Sequence, residues 1–438
     1  MMRKFISFNF FFFLFFLLND SSLALNAPSP KARPEIKVFA YNDVFDQIKK
    51  QNWPMAIALA DDYQNPALSS YIRWLDITRP GSNHSFAYLK KFYKKHSHWP
   101  KIEKIIEKIE QSINDNINSN QIIEWFKISP PTTSKGKIML MEATLKDKNI
   151  NEKKEKIRDI WINSNLTYRQ QKYFIKKYSR FWTEKDNWER FNRLIYEGKN
   201  LSARRTLNRI SGDYRRLGEA RLGLSRRVGN VSSLIKNVPT YLQNDPGLIY
   251  ERMRWRRKAK LDSAAELLIN PPDKIENVRN WWINSRIVIR RLINKKKFAK
   301  AYEILKNHNL PLNEKSGLEA EWLAGWVAYL HLKNYDHAVK HLENVFNNSD
   351  NNFRSKSAYW LALSHIKKKS DRNIINKYLE ESSKNKFSFY GQNSALKLGI
   401  FNLPSQKKKL QKPSNYDDLI NVINILNQSG QKTKKIYP

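Results

Sequence analysis

From Val38 onward apolar residues recur at helical spacing almost throughout, and no run of period-two alternation predicts a strand. Ile102, Ile105, Ile106 and Ile109 fall at i, i+3, i+4 and i+7, which places them on one helix face. Trp53-Pro54 and Trp99-Pro100 each open a helical pattern. Proline at a first helical position forfeits only an N–H that has no partner there. Ile57, Ala58 and Ala60 supply the apolar stripe after the first pair. Residues 111–160 are more polar, with Asn-rich loops and a Pro130-Pro131 break.

The carboxy-terminal half repeats itself. Ala264, Ala301 and Ala338 are spaced 37 residues apart, and each belongs to an apolar helix, a short turn and a second helix. Trp326 and Trp360 lie 34 apart, as do His331 and His365. A period near 34, with a small residue where two helices cross, is the tetratricopeptide-type signature. Trp322, Trp326 and Tyr329 are expected to fill the volume beside the crossing. One such hairpin cannot bury its apolar face alone, so the units must stack. The predicted fold is all-α: a superhelical solenoid of tetratricopeptide-like hairpins.

Charge and composition narrow the function. The chain has 438 residues and no cysteine, which excludes disulfides, thiolate metal sites, cysteine nucleophiles and an acylated cysteine anchor. Arg3 and Lys4 precede a 14-residue apolar run, Phe5 to Leu18, and Ser22-Leu23-Ala24 comes after it with the small-x-small pattern of a cleavage site. The run is shorter than the ~20 residues of a bilayer-crossing helix. Residues 1–24 are therefore expected to be a signal peptide and Pro/Ser-bearing 25–37 a linker, with no stable membrane span after cleavage and export to a periplasm. The net charge of +38 then favours peptidoglycan or another anionic envelope polymer as partner rather than nucleic acid. An alternative source of the charge is the general richness in Lys and Asn, with runs such as Lys295-Lys296-Lys297 and Lys407-Lys408-Lys409 simply solvated.

Several short segments keep a recognisable order. They are Asp245-Pro246-Gly247-Leu248-Ile249-Tyr250, Trp281-Trp282-Ile283-Asn284-Ser285-Arg286, Ala320-Glu321-Trp322-Leu323-Ala324-Gly325-Trp326, Ser357-Ala358-Tyr359-Trp360 and Phe389-Tyr390-Gly391-Gln392. Together with Asn52-Trp53-Pro54 they resemble the amino-terminal superhelical domain of the soluble lytic murein transglycosylases, over residues 38–400. The resemblance implies a ring or horseshoe of helices and a role in periplasmic peptidoglycan turnover. It also implies the family reaction, non-hydrolytic cleavage of the MurNAc–GlcNAc bond to 1,6-anhydro products by a glutamate of a carboxy-terminal lysozyme-like domain.

That catalytic block is not found in this sequence. The family's Glu-Ser-x-Phe has only a decoy, Glu381-Ser382-Ser383-Lys384, beside Glu380. Residues 401–438 are expected to hold a linker and the first helix of a truncated linker domain. Its cap would be Ser414-Asn415-Tyr416-Asp417, and Tyr416, Leu419, Ile420, Ile423 and Leu426 would form one apolar face. The expected function is a substrate-positioning scaffold, inactive alone, whose catalytic domain could be separately encoded. A periplasmic adaptor binding proteins or peptides is the alternative.

No catalytic, cofactor or metal site is predicted. Arg286 and Arg290, one turn apart and next to Trp281 and Trp282, are a candidate glycan or phosphate platform, with stacked core tryptophans as the competing reading. His337 and His341 share a helix face without a third ligand and read as surface histidines, and His96 and His98 cannot share one.

Overall fold

The computed structural model describes residues 41–145, 149–400 and 416–431. The expected signal peptide (1–24), the linker (25–37), the Lys407-Lys408-Lys409 run and the Ser414-Asn415 part of the expected cap lie outside the described residues. Among the described residues every regular element is helical, and no helix is long and apolar enough to cross a membrane. The helices begin α1 (Asn42–Lys49), α2 (Trp53–Asp62), α3 (Pro66–Thr78), α4 (Phe86–His96), α5 (Ile102–Ser112), α6 (Ser119–Ile128), α7 (Ser134–Thr144) and α8 (Ile150–Asn163). They continue α9 (Tyr168–Tyr178), α10 (Glu184–Tyr196), α11 (Asn200–Leu207), α12 (Gly212–Arg226), α13 (Val231–Lys236), α14 (Pro246–Lys258) and α15 (Glu266–Ile269). The last are α16 (Val278–Asn294), α17 (Phe298–Lys306), α18 (Lys315–Val327), α19 (Tyr335–Asn348), α20 (Asn351–Lys367), α21 (Arg372–Ser383), α22 (Phe389–Lys397) and α23 (Asp417–Gln428).

Two compact units result. One takes the residues up to His84, Phe92–Ile105 and the carboxy-terminal helix; the other takes Ser85–Lys91 and Ile106–Lys412. In the first unit, the Asn52 and Asn65 side chains accept backbone N–H groups at the starts of α2 and α3, each followed by proline in the first turn. The second Trp-Pro pair behaves differently. Lys101 takes a left-handed φ of 60°, so α5 starts at Ile102, and the Pro100 carbonyl instead accepts Trp74 Nε1 at 2.9 Å.

The last helix, expected to open a separate linker domain, packs against α3 inside this unit. Its buried face is Val422, Ile425, Leu426 and Ser429, whereas Tyr416 is exposed and caps nothing with its side chain. The face is thus rotated from the expected one. At the start of the same helix Asp418 is held by Trp99 and His98.

The second unit carries the repeat. The hairpins α16/α17, α18/α19 and α20/α21 pack in succession, and α19 also packs on α20. One buried cluster runs through them from Tyr250 to Leu379, so the hairpins share a core, as stacking requires. Ala301 and Ala338 are fully buried within α17 and α19. Ala264 is buried too, but in a short turn of 3₁₀ helix, Asp262–Ala264, ahead of the four-residue α15. Two helices approach closely at Gly325, where a Cβ would stand 2.7 Å from Leu342 Cγ. At Gly391 a Cβ would meet the Asn385 carbonyl oxygen at 2.1 Å, a backbone atom that cannot swing aside. Gly391→Ala is therefore expected to cost about 1–3 kcal/mol, measured as a lower urea midpoint at an unchanged m-value.

Candidate glycan-binding face

The four residues singled out from the sequence lie on α16, and burial separates them. Trp281 and Trp282 are 4 % and 3 % exposed and belong to the shared core, so neither ring face is open. Their neighbours Ser285, Val288, Ile289 and Leu292 are buried with them. The i, i+4, i+7, i+11 run from Trp281 is the sequence signal that marks the buried stripe. Trp282 Nε1 donates to Glu319 Oε2 at 2.7 Å, and Arg286 Nη1 donates to the same oxygen at 2.9 Å. Glu319 therefore neutralises the half-exposed Arg286. Arg290 is exposed and without a hydrogen bond among the described residues. The competing reading, core tryptophans, describes this helix.

The open aromatic surface is on the helices after it. Phe298 stacks on His331 at 3.9 Å, and His331 meets Trp326 edge-on at 5.2 Å. Trp326 lies 6.2 Å from Trp322. Beyond α18 the chain makes a π-helical turn, Ala328–Leu332, which carries Tyr329 and His331. Such turns widen the helix locally and re-aim its side chains. Tyr329 approaches Trp360 at 5.3 Å, Tyr359 lies 5.9 Å from Trp360 and 5.6 Å from Tyr390, and Tyr390 meets Phe389 at 5.4 Å. These contacts make two groups, one of Phe298, His331, Trp326 and Trp322 and one of Tyr329, Trp360, Tyr359, Tyr390 and Phe389, which together form an aromatic row carried by elements from α17 to α22. Trp322, Trp326, Tyr329, Tyr359, Trp360 and Tyr390 are all half-buried, and Phe389 is 69 % exposed. Trp322, Trp326 and Tyr329 pack against the shared core, as expected of residues filling the volume beside the helix crossing, and keep part of their surface exposed.

A cation sits against the row. The Lys356 ammonium sits 3.1 Å from the Trp322 ring centroid. Burial pulls it down to about 8, with Glu319 opposing, so it is largely charged at neutral pH. Half-exposed rings beside an ammonium group can stack on the apolar faces of sugars and attract anionic substituents.

The carboxyls with a shifted pKa on these helices are not placed as glycosidase acids. A glycosidase acid needs a raised pKa and contact with substrate. The hydrogen bond from Lys384, then the charges of Lys384 and Arg354, hold Glu381 below the usual range against its slight burial. Glu321 is buried, which pushes its carboxyl up, but bonds from His308 and His341 outweigh this and leave it at about 2. Burial does raise Glu251, yet that residue is 1 % exposed and paired with Arg254, out of reach of any ligand.

The histidines are also placed. His341, read as a surface residue, is buried: its Nδ1 is 2.6 Å from Glu321 Oε2 and its Nε2 is 3.0 Å from the Tyr302 hydroxyl. A carboxylate oxygen only accepts, so His341 Nδ1 carries a proton towards Glu321. His337, on the same helix, stacks on Tyr302 at 5.7 Å instead. His96 and His98 both face Asp418. No group of three or more His, Asp or Glu among the described residues could hold a metal ion.

No protein-family model matches the chain, and no curated protein matches it. Among solved structures, the complex of the 70-kDa soluble lytic transglycosylase with bulgecin A matches with a TM-score of 0.54 at 12 % identity, over 89 % of this chain and 63 % of that one. The two share a fold. At this identity the likeness is one of fold alone, and the chain spans less than two thirds of that protein's length.

Proposed function

We propose that this chain is a peptidoglycan-associated protein of the lytic transglycosylase type, exported to the periplasm. Within such an assembly it is the superhelical part that holds glycan strands in place. The observation that carries the reading is the shared fold with a soluble lytic transglycosylase over 89 % of the chain. The half-buried aromatic side chains between Phe298 and Phe389 support it, with Lys356 as the cation against the Trp322 ring. Cleavage of the glycosidic bond is assigned to a lysozyme-like domain rather than to these helices, because Glu321 and Glu381 are held ionised.

The test is co-sedimentation of the full chain with purified sacculi. Binding is expected at low salt, weakening as salt screens a field whose reach is ~8 Å at physiological strength. Trp326→Ala with Tyr329→Ala should lower the affinity by roughly tenfold, the equivalent of about 1.4 kcal/mol. Arg290→Gln should reduce the salt dependence. No sedimentation at any salt, or release of anhydro-muropeptides by this chain alone, would overturn the assignment.

A further inference from the structure

A separate cavity of about 430 Å³ opens between α9 and the end of α11. That volume falls within the range of small-molecule sites. Its polar lining is Gln171, Lys172, Arg205, Asn208 and Arg209, with no carboxylate, and the Tyr168 ring forms one wall. On α9 the residues Tyr168, Gln171 and Lys172 recur at helical spacing, and Arg205, Asn208 and Arg209 do the same across from them.

Arg205 is fixed in advance. Its Nε donates to Gln171 Oε1 at 2.8 Å, its Nη2 donates to Ser202 Oγ at 2.9 Å, and its guanidinium lies 5.6 Å from the Tyr168 ring centroid. Nη1 makes no hydrogen bond among the described residues. Gln171 is only 3 % exposed, yet it lines the cavity and its amide nitrogen has no partner among the described residues. Arg190 adds to the imbalance. It is fully buried over the Trp161 ring, donates to the Trp161 and Ser164 carbonyls, and has no carboxylate partner. Burial first, then repulsion from Arg193 and Arg205, lowers it to about 9. The lining therefore offers donors without a strong acceptor, in a field already short of negative charge.

We infer that this cavity is an oxyanion site taking a phosphate or carboxylate carried on a sugar ring, the oxyanion on Arg205, Arg209 and Gln171 and the ring against Tyr168. Charge-assisted, paired donors suit such a group. Tyr168 is 64 % exposed, which leaves it free to meet the sugar face.

Calorimetric titration of the full chain with glucose 1-phosphate, glucuronate, inorganic phosphate and glucose tests this. At least one anionic sugar should bind and glucose should not. Preference for glucose 1-phosphate assigns a phosphate, preference for glucuronate a carboxylate, and either supports the site. Arg209→Gln should weaken binding by roughly tenfold, the worth of about 1.4 kcal/mol. Tyr168→Leu should erase the advantage of the sugar over inorganic phosphate. Both side chains are exposed, so both variants should fold, and Arg205→Gln serves as the third. Absence of binding, equal binding of glucose, or affinity unchanged in all three variants would overturn the site; the last would place the anion elsewhere on this basic chain.

Discussion

Trp161→Ala is expected to destabilise the second unit by about 3–5 kcal/mol, the range for removing a fully buried large aromatic side chain. The ring is completely buried and sandwiched. Trp182 stacks on it at 4.3 Å and 8°, and the Arg190 guanidinium lies 4.4 Å from its centroid. Its Nε1 donates to Asn187 Oδ1 at 3.0 Å, and Phe174 lies parallel to it at 6.4 Å. Alanine would leave a cavity, an unpaired Asn187 oxygen and a buried cation without the ring that faces it. In a unit of this size the melting temperature should fall by on the order of 10 °C. Trp161→Phe keeps much of the volume and loses the N–H, so about 1–2 kcal/mol is expected. A loss below about 1 kcal/mol in the alanine variant would show that Trp182 and Arg190 collapse into the space, contrary to the usual incomplete relaxation of cores.

The reach of sequence reasoning here depends on how local each feature is. Helices were legible because their signals are local: Trp53-Pro54 opens α2, and Ile105 and Ile109 from the i, i+3, i+4, i+7 set are buried on α5. The hairpin repeat was legible because Ala301 and Ala338 recur at a fixed spacing and both are buried. The site was only partly legible. Trp281 and Trp282 look like a platform when considered beside Arg286 and Arg290. Their burial depends on α18, whose Glu319 takes both the Trp282 N–H and the Arg286 charge from 33 or more residues away. Trp322, Trp326 and Tyr329 pack against the core as expected, whereas the π-helical turn after Val327, which carries Tyr329 and His331, follows no simple 3.6-residue pattern. The oxyanion cavity lies before the repeat read from Ala264 onward, and its residues come from two helices some 34 residues apart.

The second large effect is expected where α23 meets the start of its unit, through a contact that no local pattern could announce. Asp418 accepts from Trp99 Nε1 at 2.6 Å and from His98 Nε2 at 3.0 Å, with His96 Nδ1 at 3.8 Å. Burial pushes the Asp418 carboxyl up, but the bonds from Trp99 and His98 and the His98 charge outweigh it, leaving the group below its ordinary value. A carboxyl lowered in the folded state contributes stability above its unfolded value, about 3.9, and that contribution is lost as pH falls through the folded value. His96 is also lowered, first by burial and then by Lys95 and His98, with Asp418 opposing. Below about 6.5 the unfolded chain therefore takes up this proton more readily than the folded one, and stability falls there too.

Hydrogen exchange at the α23 amides, corrected for the intrinsic rate, should show protection declining as pH drops below about 6.5 and again below about 4. At pH 7, Asp418→Asn should lower that protection by about 1–2 kcal/mol, discounted because the carboxylate is partly exposed. If α23 stays fully protected in that variant, Val422, Ile425 and Leu426 alone hold it to α3, and the lower pH step should vanish with it.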